Sequence, residues 1–183
     1  MRSVRPAAVR RRSWRSALTV AACCLVLAAC DAPRPDVTFY GNRTAVDTAP
    51  TRWCTVDAAA QSINCTDTAE DQVQRLELGV GQPVQINVPG AVGDNPWGVY
   101  FRYRNAAGEL NDGRTEVFTD RQLAYTLRPF SEQDQLVYVE VQSGYILMGG
   151  AQSGVDFAVT RSWLLLIDPK AAEPTRDGSA KSG

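Results

Sequence analysis

After residue 30 no stretch of this chain keeps an i, i+3, i+4, i+7 apolar face for three turns, whereas apolar side chains recur in steps of two over much of its length. That period constrains the fold more than any motif, because it puts one face of each segment in a core and the other in water. Leu76, Leu78 and Val80 alternate with Arg75, Glu77 and Gly79, Val84, Ile86 and Val88 with Gln85 and Asn87, and Val99, Phe101 and Tyr103 with Arg102 and Arg104. The pattern returns at Leu123, Tyr125 and Leu127, at Val137, Val139 and Val141, and at Phe157 and Val159 leading into Trp163 to Ile167. Turn signals punctuate it: Gly81-Gln82-Pro83, Pro89-Gly90, Asn95-Pro96, Ala107-Gly108, Asn111-Asp112-Gly113 and Gly149-Gly150. Residues 58–63 and 69–76 could each hold a short helical piece. Many short strands with regular turns predict an all-β, antiparallel two-sheet sandwich.

The first thirty residues have a different grammar. Residues 1–16 are basic, and Ala17 to Ala29 is an uncharged apolar stretch ending in small residues, the layout of a secretory signal helix. Thirteen residues at about 1.5 Å each give roughly 20 Å, short of the ~30 Å hydrocarbon core, which disfavours a transmembrane span. Leu27-Ala28-Ala29-Cys30 resembles a bacterial lipobox, in which the Cys30 thiol takes a diacylglyceryl group and becomes the first residue of the mature chain. More than one acyl chain on one residue gives stable anchoring. Arg11-Arg12 resembles a twin-arginine export signal, though arginine-rich leaders produce such pairs by chance. The expected organisation is a signal peptide over 1–29, a Pro-rich tether over 30–35, a β-sandwich domain over 36–170 and a disordered tail over 171–183. The tether, Asp31-Ala32-Pro33-Arg34-Pro35, spans roughly 15 Å at about 3.1 Å per residue, so the body is expected close to the membrane.

Charge and composition narrow the chemistry. The chain has a net charge of −1, but six of its arginines precede Cys30 and every acid follows it, leaving thirteen cations against twenty acids, or −7, from Cys30 onward. An acidic body without a basic stripe argues against nucleic acid as a partner and offers no broad attraction to anionic lipid, so membrane attachment is expected to run through Cys30. There is no histidine, which removes the commonest general base and the commonest transition-metal ligand. Both lysines, Lys170 and Lys181, fall at the C-terminal end. Cys23 and Cys24 leave with the signal and Cys30 is used by the lipid. Cys54 and Cys65 remain as a pair in an oxidising compartment, predicting a disulfide that closes a short loop and contributes about 2 to 3 kcal/mol in the chain-entropy picture.

The order of signals resembles an immunoglobulin-like domain. Leu76 to Val88 is similar to an opening strand, a Gly-x-Pro turn and a second strand entering the core. Pro96 to Tyr103 then sits at the aromatic core strand and Leu136 to Gln142 at the central strand of the same sheet. Residues 37–65, with Val37, Phe39, Val46, Trp53 and Cys54, would form an N-terminal strand extension stapled by the disulfide. The lipobox, Asp36-Val37-Thr38-Phe39-Tyr40, Trp53-Cys54 with Cys65, Pro83 to Pro89 and Pro96-Trp97 together resemble a family of small actinobacterial envelope proteins, domain of unknown function 2771. The resemblance covers most of the mature chain, and it implies an envelope location without implying a reaction.

Candidate sites are few. Trp97, Tyr100, Phe101 and Tyr103 could form an aromatic platform, but the alternation buries Phe101 and Tyr103 and leaves Tyr100 beside arginines. Asp67, Glu70 and Asp71 lack the ligand spacing of a calcium loop. Ser143, Ser153 and Ser162 have no histidine or well-placed lysine to activate them. The sequons at Asn42 and Asn64 carry little weight in a bacterial lipoprotein. Tyr145-Ile146-Leu147-Met148 is an apolar run where a loop would be polar. It is either an exposed contact at the tip of the sandwich or a continuing strand that buries these side chains in a hairpin. The expectation is therefore a lipid-anchored, extracytoplasmic binding or scaffold module held to the cytoplasmic membrane through Cys30. It has no catalytic residue, metal or cofactor, and an envelope protein is its possible partner. The alternative is a carboxylate-based cell-wall polysaccharide hydrolase, which requires two carboxylates facing across a cleft.

Overall fold

The computed structural model describes residues 33–60, 62–149 and 155–170. The signal segment, Cys30, Ser153 and the tail from residue 171 lie outside the described residues, as does the side chain of Met148. Among the described residues eleven strands run in chain order: β1 (Val37–Gly41), β2 (Thr44–Thr48), β3 (Arg52–Asp57), β4 (Ser62–Asp67), β5 (Gln74–Leu78), β6 (Val84–Asn87), β7 (Trp97–Arg104), β8 (Leu110–Arg114), β9 (Ala124–Leu127), β10 (Gln135–Gly149) and β11 (Val155–Pro169). A single helical turn, α1 (Gly90–Gly93), links β6 to β7.

Two sheets face each other. The smaller has the order β2-β1-β6-β9, and the larger β4-β3-β11-β10-β7-β8, with β5 lying parallel to β11 along Leu165 to Pro169. With β6 taken as strand B of an immunoglobulin-like sandwich, β7, β8, β9, β10 and β11 fall at C, C′, E, F and G. B then pairs with E in one sheet, and C′, C, F and G are neighbours in the other. The expected N-terminal extension is not an appendage. β1–β2 completes the small sheet beside β6, and β3–β4 extends the large sheet beside β11.

The core lies between the inner faces. Val37, Phe39, Val84, Ile86 and Leu127 come from the small sheet, and Leu76, Leu78, Val99, Phe101, Leu136, Val139, Val141, Trp163, Leu165 and Ile167 from the large one. Trp97 and Trp163 are fully buried, and each indole N–H finds a carbonyl: Trp97 donates to Gln122 at 2.8 Å and Trp163 to Pro35 at 2.8 Å. Satisfying that one polar atom is what lets so large a ring be buried. Among the described residues every member of this core lies between Val37 and Ile167.

Several expectations need correction. In the stretch 58–63 the described residues are not helical, with a turn over 58–60 and strand at Ser62 and Ile63. Asp57 accepts hydrogen bonds from the backbone N–H groups of Ala59 and Ala60 at 2.9 Å, closing a turn that sends the chain back as β4. In 69–76 only Glu70–Gln72 makes a 3-10 turn, because Leu76 and Leu78 are drawn into β5 by the core. Val80 is 57% exposed, since β5 ends at Leu78 and the chain turns through Gly81 at φ +72. Val137 is the extra residue of a β-bulge, which brings Leu136 and Val139 inward together. Asn111-Asp112-Gly113 is not a turn but part of β8. Its glycine lies against the Phe101 ring, which a Cβ would strike, so the residue marks a close approach rather than a reversal. Leu123 and Phe157, expected inside, are 51% and 61% exposed.

The disulfide joins Cys54 and Cys65, directly opposed across β3–β4 with Cα atoms 3.9 Å apart. β3 joins the rest of the sheet only through the pairs Trp53–Arg161 and Arg52–Ser162, so among the described residues the outer part of this hairpin has no other strand beside it. Replacing both cysteines, Cys54→Ser with Cys65→Ser, is expected to lower stability by about 2 to 3 kcal/mol in urea unfolding. A loss below about 0.5 kcal/mol would show that strand pairing alone holds the hairpin.

Candidate functional site

The longest element, the β10–β11 hairpin, has two unlike halves. From Gln135 to Ser143 and from Arg161 to Pro169 it is flanked by β7 on one side and by β3 and β5 on the other. Beyond Ser143 and Arg161 it continues as a two-stranded ribbon, with Tyr145 opposite Val159, Ile146 opposite Ala158 and Leu147 opposite Phe157. Among the described residues no third strand pairs with this part. The boundary is Gly144, at φ +70, where a Cβ would run into the Thr160 hydroxyl. Thr160 Oγ1 instead donates to the Gly144 carbonyl at 2.7 Å. Glycine is required there because only it adopts this conformation without strain.

The apolar run is thus neither a loop nor a buried strand. The strand continues, yet Leu147 is 67% exposed and Ile146 half-buried. Tyr145 folds back onto the sheet. Its hydroxyl donates to the Gln142 carbonyl at 3.3 Å and lies over Gly98, and burial raises its pKa. Phe157 completes the tip opposite Leu147. Its contribution was hidden in the sequence, because the pairing across residues 150–154 sets it beside Leu147 and no local pattern announces that.

At the base of the ribbon sits Trp53, edge-on to Trp163 with ring centres 6.4 Å apart. Two guanidinium groups lie against Trp53, that of Arg34 at 5.5 Å and that of Arg161 at 4.6 Å from the ring centre. The buried Nε of Arg161 has no hydrogen-bond partner among the described residues. The outer face of the large sheet is covered by similar stacks: Arg114 over Tyr100 at 4.8 Å, Arg102 over Tyr138 at 5.4 Å, and Tyr100 against Tyr138 at 5.6 Å. As the alternation predicts, Phe101 is buried and Tyr100 lies beside arginines, and Tyr103 is half-buried against the core.

The opposite end carries a shallow depression of about 590 Å³, lined by Tyr40, Asn42, Arg43, Gln82, Gln85 and Lys170 among others. Asn42 and Arg43 hold positive φ in the tight β1–β2 turn, and Lys170 donates to Asn42 Oδ1 at 3.4 Å. A second hollow of about 350 Å³ brings Asp67, Glu70 and Glu140 together with Arg52. Among the described residues no group of three His, Cys, Asp or Glu side chains is placed to hold a metal ion.

Four aspartates form ion pairs with arginines among the described residues, Asp94 with Arg121 and the three that follow. Arg52 hydrogen-bonds Asp67, Arg102 bonds Asp112 and Arg75 bonds Asp168, and each carboxyl is thereby held below the ordinary carboxylate range. A glycosidase acid needs the opposite shift. Two of the three serines weighed as nucleophiles are occupied as well: Ser143 donates to the Pro96 carbonyl at 3.0 Å, and Ser162 shares a hydrogen bond of 3.3 Å with Thr51. Because the three aspartates have depressed folded-state pKa values, their contribution to stability is present above about pH 4 and is lost as pH falls through the lowered values. The pairs are exposed, so the effect is modest. Urea midpoints measured from pH 7 to pH 2 are expected to hold level and then fall in acid, with a shallower fall in Arg75→Gln. An unchanged slope in that variant would remove Asp168 from the account.

Comparison with known proteins adds a family and no activity. No curated protein and no solved structure matches the chain. The sequence profile described as "Protein of unknown function (DUF2771)" matches residues 30–168, most of the chain, and the protein belongs to that family.

Proposed function

We propose that this protein is a lipid-anchored, non-catalytic binding or scaffold module of the cell envelope, standing on the outer face of the cytoplasmic membrane. The observation that carries the reading is where the reactive side chains go. Three aspartates are neutralised by arginines, two serine hydroxyls are spent on Pro96 and Thr51, and histidine is absent from the sequence. A group that must exchange protons at neutral pH needs a pKa near 7, and these pairings push the carboxyls away from it. The surface keeps features suited to contact: an apolar ribbon tip and a polar depression at the other end.

The anchor rests on Leu27-Ala28-Ala29-Cys30, and the family match begins at the same cysteine. Two or more acyl chains on one residue suffice for lasting attachment, which the acidic body would not achieve by charge. The polysaccharide hydrolase has less support, because its hydrogen bond to Arg52 holds Asp67, in the hollow it shares with Glu70 and Glu140, below the ordinary carboxylate range, the opposite of what the proton-donating carboxyl needs.

Mass spectrometry of protein extracted from host membranes is expected to give a mature chain beginning at an acylated Cys30, and Cys30→Ala is expected to abolish acylation. An unmodified residue 30 in membrane-extracted protein would refute the anchor. Release of new reducing ends from cell-wall polysaccharide by the purified body would refute the non-catalytic reading.

A further inference from the structure

We propose that the outer half of the β10–β11 hairpin is a membrane seat. Leu147 and Phe157 enter the boundary between headgroups and acyl chains, and Arg34 and Arg161, stacked on Trp53 at the base, meet the phosphates of anionic lipid.

Four observations converge on this face. The first is position. Arg34 lies on Trp53, Trp53 pairs with Arg161, and the ribbon leaves the sandwich from that row, so the chain that leads back to Cys30 and the apolar tip share one end of the body. Trp163, two residues further in along β11, holds the Pro35 carbonyl at 2.8 Å and pins the chain there. The second is chemistry. Leu147 and Phe157 face one another across the ribbon at 67% and 61% exposure, and from Tyr145 to Val159 the sequence has one charged residue, Asp156.

The third is charge. The body is acidic, yet two guanidinium groups flank an indole at this base, and Arg161 is in no ion pair among the described residues. Tryptophan and arginine side by side suit the headgroup level, where a ring meets the apolar boundary and a cation meets phosphate. The fourth is reach. Three residues lie between Cys30 and Arg34, so the four Cα-to-Cα steps span at most about 14 Å of extended chain. In this one respect the proposal rests on the lipid-anchor reading: an acylated Cys30 would keep the tip within reach of the bilayer. The depression with Arg43 and Lys170 lies at the other end, where Lys170 follows the last residue of β11.

Backbone chemistry limits the depth. A two-stranded ribbon has unpaired N–H and C=O groups along both edges, which cannot be buried in hydrocarbon, so the tip sits in the interface and does not span. A seat of this kind would fix the tilt of the body, which a flexible acyl anchor leaves free, and would turn the far depression toward the outside.

The test uses the chain from residue 30 to 183 with Cys30→Ser, so that no acyl group contributes. It is sedimented with vesicles of phosphatidylcholine containing phosphatidylglycerol. The protein is expected to sediment with the vesicles. Leu147→Asp with Phe157→Asp is expected to reduce binding at least about five-fold, as the loss of two apolar contacts requires, while the circular dichroism and Tm stay unchanged. Leu147→Ser alone, a milder change, is expected to fall between the two, and Arg43→Gln with Lys170→Gln is expected to bind as the parent does. A parent chain that ignores the vesicles, or a double variant that binds equally well, would overturn the proposal and leave an envelope protein as the occupant of the tip. Since every protein compared has serine at residue 30, the outcome is independent of acylation, which the mass of the native chain tests separately.

Discussion

The structure depends on one pairing, that of β10 with β11. β7 lies along β10, and β3 and β5 lie end to end along β11, so the large sheet is assembled on this single hairpin. Its inner half supplies Leu136, Val139, Val141, Trp163, Leu165 and Ile167 to the core, and Trp163 reaches across to hold Pro35. Such strands are longer than a sandwich of this depth can use. Past Gly144 the register with β11 is kept but the flanking strands are gone, so side chains that would pack against a second sheet meet solvent instead. The fold therefore stabilises, through its inner half, a surface that gains little from folding itself.

Much of this was legible in the sequence. The period of two located β5, β6, β7, β9, β10 and β11, the Gly-x-Pro turn separated β5 from β6, and the cysteine count identified the disulfide. The departures share a physical cause, for in each a tertiary contact outweighs a local signal. Asn111-Asp112-Gly113 has the composition of a turn, but Gly113 is there to admit the Phe101 ring. The bulge at Val137 shifts the phase of β10 by one residue, so a strict alternation selects Val137 where the core takes Leu136. A helix over 69–76 loses to the parallel pairing of β5 with β11, which depends on residues ninety positions away.

The candidate site was half visible. Tyr145 to Leu147 stands out as an apolar run, but its surroundings come from elsewhere in the chain: Phe157 by strand pairing, Arg34 and Arg161 by stacking on Trp53. Arginine accounts for seventeen of the nineteen cations, and its planar head suits both of its uses here, bidentate pairing with Asp168 and stacking on Tyr100, Tyr138 and Trp53. Groups committed in this way stiffen and decorate a surface.

The central claim is that one hairpin has a structural half and a contact half divided at Gly144. Native-state hydrogen exchange of the chain from residue 30, followed residue by residue, tests it most directly. The account predicts that the amides of Val139, Val141, Trp163 and Leu165 exchange only through global unfolding. Those of Ile146, Leu147, Phe157 and Ala158 are predicted to exchange through local opening at a far smaller free energy, and to slow when anionic vesicles are added. Equal protection along the whole hairpin, or an outer half whose exchange takes no notice of lipid, would contradict it.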